Sequence, residues 1–205
     1  VARSYCPGGL GGWVTYVKKP LLAPLELTIG AQERVAADGS IVTPLDEDRL
    51  RQDLEALKAK GGIEALTICF INAYINGEHE QRAREIARTV FTDVPISISS
   101  EVVPEMQEYE RTETTVVNSY VRPEVERYVN NLQNALEARL GGDTQLSILR
   151  SDGGLASSRA AAESPVNLLM SGPAGGVTGA LFFCSKAGFD NILTFDMGGT
   201  STDVA

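Results

Sequence analysis

The 205-residue chain has few of the side chains on which many enzymes depend. His79 is the only histidine, which excludes, within this chain, a zinc site built from several imidazoles and a Ser-His-Asp triad that lacks His79. The cysteines Cys6, Cys69 and Cys184 are far apart and form no Cys-x-x-Cys pair, so we expect reduced thiols rather than a disulfide framework. Cys69 and Cys184 lie in apolar segments and are predicted to be buried.

The chain also lacks long hydrophobic runs and an excess of positive charge. No apolar run approaches the roughly 20 residues that a membrane span requires, and the N-terminus has no charged-then-apolar signal pattern. The formal net charge of −9 argues against a nucleic-acid partner and an anionic membrane surface. With 43% hydrophobic and 22% charged residues, the composition is typical of a globular protein with one large or two small domains, and we expect a cytoplasmic location.

The most informative stretch is the last one, residues 191–205. An apolar run that ends at Phe195 predicts a buried strand, and Asp196 follows it directly. Gly198 and Gly199 then permit a tight turn and let backbone N–H groups approach a ligand closely. The segment is not a Walker A loop, because no Gly-Lys-Ser/Thr follows, and it is not a dinucleotide-binding fingerprint, because a returning strand follows the turn. We therefore predict a strand, a Gly-Gly turn and a second strand.

The polar side chains of this predicted hairpin suit a phosphate that carries a metal ion. The hydroxyl groups of Thr200 and Ser201 add hydrogen-bond donors to the backbone N–H groups of the turn. Asp196 and Asp203 are able to hold a hydrated divalent cation. An isolated Asp-x-Gly-Gly-Thr match fits an ordinary hairpin turn equally well, so at the level of five residues both interpretations stay open.

A second glycine cluster precedes the hairpin, at residues 171–179. It is predicted to open a helix that continues to Lys186 and is closed by Gly188. Unpaired N–H groups at the start of a helix attract anions. Ligand contact is therefore open for four residues: Ser171, Gly172, Gly175 and Gly176. The alternative is that closely spaced glycines let the helix pack tightly, which we favour for Gly179.

The first half of the chain predicts a hairpin and then a β-α-β unit. Residues 25–36 alternate like a strand, and a turn at residues 37–40 leads to a second strand. A helix is predicted from a Thr43 cap, with Pro44 at its first position, to Lys60. The remaining elements are a buried strand at 63–71, a helix at 78–90 and a strand at 95–99. Helices are thus predicted to flank a parallel sheet.

The connection after the first buried strand contains three candidates for substrate contact: Asn72, Tyr74 and His79. Ligand sites in open α/β folds lie at the carboxyl ends of strands, which favours this segment. Against it, Asn76 and Gly77 are typical of a plain turn, and His79 falls in the first turn of the helix, where a solvent-facing ring is usual. For His79 the structural role is the more common one.

Later segments carry further candidates. A long helical pattern begins after residue 111, and Pro123 is predicted to interrupt or restart it. Asp152 lies between a short strand and a Gly-Gly turn, where substrate contact and a simple turn are equally supported. Near the N-terminus, Trp13 and Tyr16 lie in a glycine-rich setting that would allow them to line a ligand, although packing of a surface loop is the commoner outcome.

Four segments of the sequence carry a family resemblance. Residues 195–204, Phe-Asp-Met-Gly-Gly-Thr-Ser-Thr-Asp-Val, are similar to the phosphate-binding hairpin of the acetate and sugar kinase, heat-shock chaperone and actin superfamily. Within it they look most like the ATP-dependent hydantoinase A, 5-oxoprolinase and acetone carboxylase subunits. Residues 171–177, Ser-Gly-Pro-Ala-Gly-Gly-Val, and residues 109–112, Tyr-Glu-Arg-Thr, resemble two other segments of that family. Residues 76–80 resemble its Asn-Pro-x-His-Glu stretch, with Gly77 in place of the proline.

The resemblance implies an α/β fold of RNase H-like, actin-like ATPase subdomains, each with a mixed sheet flanked by helices. Residues 1–113 would be the C-terminal part of the N-terminal hydantoinase/oxoprolinase domain, and residues 114–205 the start of the second, hydantoinase A, domain. Only one of the family's two acidic phosphate hairpins is visible, and the adenosine-binding sequence is absent. We therefore expect the fold to be incomplete here, the chain to be part of a longer protein, and this part alone to be inactive.

The resemblance also implies a reaction. The intact protein would use Mg²⁺ and ATP to phosphorylate an oxygen of a cyclic amide, or of a ketone or bicarbonate in the carboxylase branch, and would work with a second subunit. Asp196 would hold metal-bound water, and Asp203 would orient the hairpin or the metal. The nucleotide would contact the other residues of the turn and the glycine-rich helix: Gly198, Gly199, Thr200, Ser201, Gly172, Gly175 and Gly176. The rival interpretation is a non-catalytic nucleotide-sensing or subunit-docking module.

Overall fold

A computed structural model describes residues 20–142 and 144–205, so Trp13 and Tyr16 lie outside the described residues. The fold is mixed α/β and divides into two compact units, one up to Tyr120 and the other from Val121 to Ala205. The described strands form four separate two-stranded sheets. The expected larger mixed sheet is therefore not found within the described residues.

From residue 20 onwards, the first unit contains two strand pairs and three helices of its own. Its strands are β1 (Arg34–Val35), β2 (Ile41–Thr43), β3 (Leu66–Ile68) and β4 (Ile96–Ile98). Its helices are α1 (Glu47–Lys60), α2 (Glu78–Val90) and α3 (Ser99–Val102), preceded by a 3-10 turn at Leu25–Leu27. Helix α4 (Glu108–Leu140) begins in this unit and continues into the second.

The second unit contains two hairpins and two further α-helices. Its strands are β5 (Ser147–Leu149), β6 (Leu155–Ser157), β7 (Phe195–Met197) and β8 (Thr202–Val204). Its helices are α5 (Ser158–Glu163) and α6 (Ser171–Lys186), with a 3-10 turn at Pro165–Leu168. The predicted end of α6 at Lys186 is confirmed, and Gly188 adopts a φ of 86° in the closing turn.

The first hairpin is confirmed, but its strands are shorter than predicted. Strands β1 and β2 pair antiparallel, and the backbone N–H of Ala36 donates to the carbonyl of Ser40 at 2.8 Å. Asp38 closes the turn by accepting from the hydroxyl of Ser40 at 2.7 Å, a hydrogen bond that lowers the pKa of the Asp38 carboxyl. The alternating residues around Leu25 do not form a strand. The carbonyl of Pro24 accepts a hydrogen bond from the residues that follow it, and these residues form a 3-10 turn.

The predicted start of helix α1 at Thr43 was wrong by a few residues. Thr43 is the last residue of β2 and pairs with Arg34, so its backbone is already used by the hairpin. Asp46 is the cap instead, and its carboxylate accepts from the N–H of Arg49 at 3.0 Å. The end at Lys60 is confirmed, with Gly61 at a φ of 74°, a conformation that favours glycine.

The β3-α2-β4 segment forms the predicted parallel unit. Leu66 pairs with Ile96 and Ile68 pairs with Ile98 in a parallel register, and α2 has the predicted bounds. The core lies between α1, α2 and this strand pair, and its buried members are Leu50, Leu54, Ala83, Ile86, Ala87, Val90, Phe91 and Ile96. The apolar residues that recur along α1 at helical spacing therefore face the core as predicted.

A surface ion pair joins α1 and α2. Arg82 donates to the two carboxylate oxygens of Glu47 at 2.8 and 2.7 Å. These hydrogen bonds lower the pKa of the Glu47 carboxyl and raise the pKa of Arg82. Because both groups are exposed, we expect the pair to contribute little to stability.

Helix α4 runs through Pro123, so the predicted interruption was wrong. Ion pairs one turn apart flank the proline: Arg122 with Glu126 at 3.7 Å, and Arg127 with Glu124. Such pairs stabilise the helix locally, although proline removes one backbone hydrogen bond. None of the helices in the described part of the chain is long and apolar enough to cross a bilayer.

The two cysteines within the described residues are free thiols, as expected. Both are partly rather than fully buried, so the prediction that they are core residues was wrong. Cys69 has a polar neighbour, because its Sγ lies 2.8 Å from Oγ1 of Thr112.

Candidate functional site

The hairpin of β7 and β8 has the predicted strand, Gly-Gly turn and strand. Its turn is closed by the N–H of Gly198, which donates to the carbonyl of Ser201 at 3.0 Å. Asp196 and Asp203 are directly paired across the two antiparallel strands. Residues paired in this way share one face of a sheet, and their Cα atoms are about 5.5 Å apart in a hydrogen-bonded pair. The hairpin therefore presents two carboxylates side by side.

Neither carboxylate of this pair is neutralised by a residue that the structure describes. Among the described residues, no cation and no hydrogen-bond donor contacts the side chain of Asp196 or that of Asp203. Asp196 is exposed and Asp203 is partly buried. Like charges directly opposite each other destabilise a strand pair, so the arrangement favours a bound cation.

The other face of the hairpin is apolar and exposed. Phe195 is 64% exposed, Met197 70% and Val204 58%. The prediction that this strand is buried was therefore wrong for the described residues. The physical reason is that β7 pairs only with β8, and no described element covers the face opposite the two aspartates.

The glycine-rich helix α6 lies beside the acidic face of the hairpin. A Cβ atom added at Gly176 would lie 4.0 Å from Oδ2 of Asp196. Gly176 and Asp196 are 20 residues apart in sequence. The two predicted ligand-binding segments that contain them are thus neighbours in the structure. Because glycine has no side chain, the approach to this carboxylate oxygen from the helix is left open.

The other glycines of α6 have different surroundings. A Cβ at Gly175 would lie 2.4 Å from Cδ2 of Leu149, so this glycine lets β5 pack against the helix. Cβ atoms at Gly172 and Gly179 would meet no described atom within 4 Å. The tight packing that we favoured for Gly179 is therefore not found among the described residues, and Gly172 is open to solvent.

The start of α6 has an unusual backbone. Met170, the residue before Ser171, has a φ of 66° and provides no side-chain cap. This left-handed conformation is uncommon for a residue with a Cβ atom. The N–H groups of the first turn therefore receive no side-chain acceptor from the capping residue.

Asp152 lies in the turn between β5 and β6, and this turn also contacts α6. Oδ1 of Asp152 accepts from the N–H of Gly154 at 2.9 Å, and Oδ2 pairs with Arg150 at 2.9 Å. Gly153 has a φ of 80°, and a Cβ there would lie 3.2 Å from Oγ1 of Thr178. Asp152 thus has the hydrogen bonds of a simple turn. The turn itself lies against α6, the helix that also lies beside the hairpin of Asp196 and Asp203.

The three candidates of the first unit each have a partner within the protein. Asn72 has a φ of 60°, and its side-chain amide donates to the carbonyl of Val35 at 2.9 Å. The ring of Tyr74 lies 5.5 Å from the guanidinium of Arg111. His79 is 6% exposed rather than solvent-facing as predicted. Its Nδ1 lies 2.8 Å from a carboxylate oxygen of Glu33, 46 residues away in sequence.

A buried polar network lies next to these candidates. Glu80 is fully buried and accepts from the N–H of Phe70, the hydroxyl of Ser99 and the N–H of Ser100, at 2.6 to 2.8 Å. Arg111, also fully buried, donates to Ser99 at 3.1 Å and to the Phe70 carbonyl at 2.7 Å. Such a network fixes the carboxyl ends of β3 and β4. In the sequence, this network was indicated only by the fact that Glu80 and Arg111 lie in two of the segments that resemble the family.

The described residues contain no group of three or more His, Cys, Asp or Glu side chains that would hold a metal ion by themselves. Magnesium is usually bound by one or two carboxylates, with water and substrate phosphates completing its shell. The donor set of the hairpin, two carboxylates beside a turn that presents N–H and hydroxyl groups, therefore fits magnesium bound together with a phosphate.

Comparison with known proteins places this geometry in context. Residues 111–205 match the family described as hydantoinase/oxoprolinase, and residues 13–91 match its N-terminal region. The caprolactamase subunit alpha of Pseudomonas jessenii is 36% identical over 190 residues, which are 93% of this chain and 27% of that protein.

Two solved structures have the same fold. The ATP-dependent caprolactamase from Pseudomonas jessenii superposes with a TM-score of 0.82 at 36% identity, over 93% of this chain and 27% of that one. The nucleotide-free acetone carboxylase, from work on ATP-dependent acetone carboxylation, gives a TM-score of 0.81 at 32% identity, over 94% and 27%. The chain thus spans about a quarter of the length of these relatives.

Proposed function

The chain belongs to the hydantoinase/oxoprolinase family, and from this premise we propose that it supplies one wall of an ATP site in an enzyme that phosphorylates a carbonyl-type oxygen. The substrate would be a cyclic amide, or a ketone or bicarbonate as in a carboxylase. Support comes from the relatives, whose names include an ATP-dependent caprolactamase and an acetone carboxylase. In this proposal the two units are parts of RNase H-like subdomains, with the boundary of the family domains at residues 113 and 114.

One observation carries the proposal: the paired carboxylates of Asp196 and Asp203 lack any partner among the described residues, and Asp196 lies next to Gly176. Two adjacent unpaired carboxylates repel each other, so a magnesium ion between protein and phosphate would relieve an unfavourable interaction. Bound Mg²⁺ and ATP would supply the phosphoryl group that makes an unreactive carbonyl oxygen a leaving group.

The residues of this chain would then bind and position. Asp196 would hold water of the metal shell, and Asp203 would orient the hairpin or the metal. Gly198 and Gly199 would offer backbone N–H groups to the phosphates, and Thr200 and Ser201 their hydroxyls. The helix would approach the nucleotide closely at Gly172, Gly175 and Gly176. Gly175 would also have a structural role, because it packs against Leu149. Positioning and charge neutralisation supply most of the rate in phosphoryl transfer, so no nucleophilic side chain is required.

Substrate contacts by Asn72, Tyr74, His79 and Asp152 remain part of the proposal. The strongest of the four is His79, because Nε2 of its ring has no partner among the described residues. A second subunit is also proposed, because the caprolactamase relative is named as a subunit.

A second candidate function is a non-catalytic, nucleotide-sensing or subunit-docking module. The observation that favours it is the exposed apolar face formed by Phe195, Met197 and Val204. Such a face on a hairpin is typical of a surface that another polypeptide covers.

Turnover separates the two candidates. The protein would be prepared at the length of its relatives and supplied with Mg²⁺, ATP and 5-oxoproline or acetone, and phosphate release would be measured. The enzyme proposal expects substrate-dependent release that is lost in Asp196→Asn. Nucleotide binding without turnover, and with the same result for 5-oxoproline and acetone, would favour the module. Ser157→Ala, which removes the cap of α5 away from the hairpin, is the matched control for general destabilisation.

A further inference from the structure

The only histidine of the chain is held by a carboxylate. Nδ1 of His79 lies 2.8 Å from Oε2 of Glu33, and the two side chains are only 7% and 6% exposed. Glu33 lies just before β1 and His79 in the first turn of α2, so the pair joins two elements. A buried carboxylate requires a donor, so Nδ1 carries the proton and donates it to Glu33. In the neutral ring, Nε2 then has the free electron pair.

Nε2 itself is left open. Among the described residues it has no hydrogen-bond partner, and it is not one of the buried polar atoms that lack one. The ring is therefore nearly enclosed, while Nε2 has a free electron pair and no partner in the described part of the chain.

The position of the ring in the fold also suits a ligand site. His79 follows the connection between β3 and α2, which begins at the carboxyl end of the parallel strand pair. Ligands of open α/β folds bind at this end of the strands. Within the connection, the side chains of Asn72 and Tyr74 are held in place by Val35 and Arg111.

We propose that His79 is a catalytic base that accepts the N–H proton of a cyclic amide, and that Glu33 is its positioning residue. This inference rests on the proposed function for its substrate. The N–H bond of the amide breaks and an Nε2–H bond forms, while the electron pair stays on the amide and is delocalised onto its oxygen. That oxygen becomes the better nucleophile for phosphorylation, and the Glu33 carboxylate stabilises the imidazolium that results.

Whether His79 is an accessible base is tested without any nucleotide. Because the chain contains a single histidine, the signal comes from His79 alone. Diethyl pyrocarbonate acylates an unprotonated, accessible imidazole, and the rise in absorbance at the histidine band reports His79 alone, with His79→Asn as the blank. We expect modification of the folded chain at a rate far above its unfolding rate. Nitrogen NMR of the ring should show a protonated Nδ1 and an unprotonated Nε2, and Glu33→Gln should cause the loss of this single tautomer. Modification only on unfolding, or a proton on Nε2, overturns the proposal.

The catalytic role is tested by a pair of substitutions in the protein at the length of its relatives, with 5-oxoproline as the probe. Asparagine at position 79 keeps a donor for Glu33 near the place of Nδ1 but has no base at the place of Nε2. We therefore expect His79→Asn to keep an unfolding midpoint close to that of the wild type and to lose about 100-fold or more in kcat. Retention of the rate by His79→Asn would show a merely structural histidine and would overturn the proposal.

The two proposals fail in distinguishable ways. Absence of ATP turnover in the wild type overturns the proposed function and, with it, the cyclic-amide assignment. The tautomer and the acylation rate then still decide whether His79 is a held, accessible base.

Discussion

The core of the first unit and the terminal hairpin of the second differ in the surroundings of their apolar and polar residues. In the first unit, Leu50, Leu54 and Ile86 are nearly fully buried, and the polar candidates have partners within the protein. In the second unit, Phe195 and Leu193 are 64% and 79% exposed. The aspartates of its hairpin have no partner among the described residues. The first unit therefore carries its own core and network, whereas the second leaves open both its acidic face and its apolar one.

The largest expected effect comes from breaking the buried network of the first unit. Arg111→Met removes the donors that reach Ser99 and the Phe70 carbonyl and leaves the acceptors buried. We expect a loss of about 3–5 kcal/mol in the free energy of unfolding, measured by urea denaturation. Arg159→Met, at an exposed ion pair with Glu163, is the matched control and should change little. Equal losses in the two variants would contradict the distinction between buried and exposed pairs.

The next effect tests the core against the exposed hairpin. Ile86→Ala creates a cavity among residues that are almost fully buried, and we expect a loss of about 2–5 kcal/mol in the free energy of unfolding. Phe195→Ala removes a larger side chain that is already mostly in water, so we expect a change within about 0.5 kcal/mol. A cost for Phe195→Ala as large as that for Ile86→Ala would show that this phenylalanine is covered in solution.

Two adjacent glycines of α6 sharpen the comparison within the second unit. Gly175→Ala places a methyl group 2.4 Å from Leu149 and should cost about 1–3 kcal/mol of stability. Gly176→Ala has room, since its nearest described atom is 4.0 Å away, and should gain about 0.5–1 kcal/mol from helix propensity. Thermal unfolding of both variants, and of Gly175→Ala with Leu149→Ala as a rescue, measures these effects. A stable Gly175→Ala protein would contradict the packing.

The smallest expected effect concerns the two aspartates. Asp196→Asn relieves the repulsion from Asp203 across the strands, so we expect a gain of about 0.2–1 kcal/mol in the absence of magnesium. With magnesium and ATP present, the wild type should become more stable than Asp196→Asn, because only the wild type keeps both carboxylates. Thermal shifts with and without magnesium and ATP measure the difference. A loss of stability in Asp196→Asn without ligand would indicate that this carboxylate has a structural partner.

Local patterns in the sequence predicted much of the fold. The bounds of α2 were predicted at residues 78–90 and are confirmed. The start of α1 was missed because Thr43 pairs with Arg34 in a hairpin, a contact that a cap-and-proline pattern does not reveal. Pro123 was expected to interrupt or restart a helix, and the helix continues through it.

The candidate site was less accessible to sequence analysis, because it depends on residues far apart in the chain. The hairpin and the glycine-rich helix were each predicted, but the contact of Gly176 with Asp196 is visible only in three dimensions. His79 was expected to face solvent because it falls in the first turn of a helix, and its partner Glu33, 46 residues earlier in the sequence, is visible only in the structure. The burial of Phe195 was predicted from its apolar neighbours, and apolar sequence alone does not show what covers a strand.

Calorimetry with ATP and magnesium tests the central claim most directly, namely that the hairpin of Asp196 and Asp203 is one wall of a nucleotide site. The titration would be made on this chain, on the protein extended at both ends to the length of its relatives, and on Asp196→Asn of each. We expect binding in the extended protein, its loss in Asp196→Asn, and weaker or no binding by this chain alone. Absence of binding in both lengths, or binding that Asp196→Asn leaves unchanged, would contradict the claim and leave the hairpin as a structural turn.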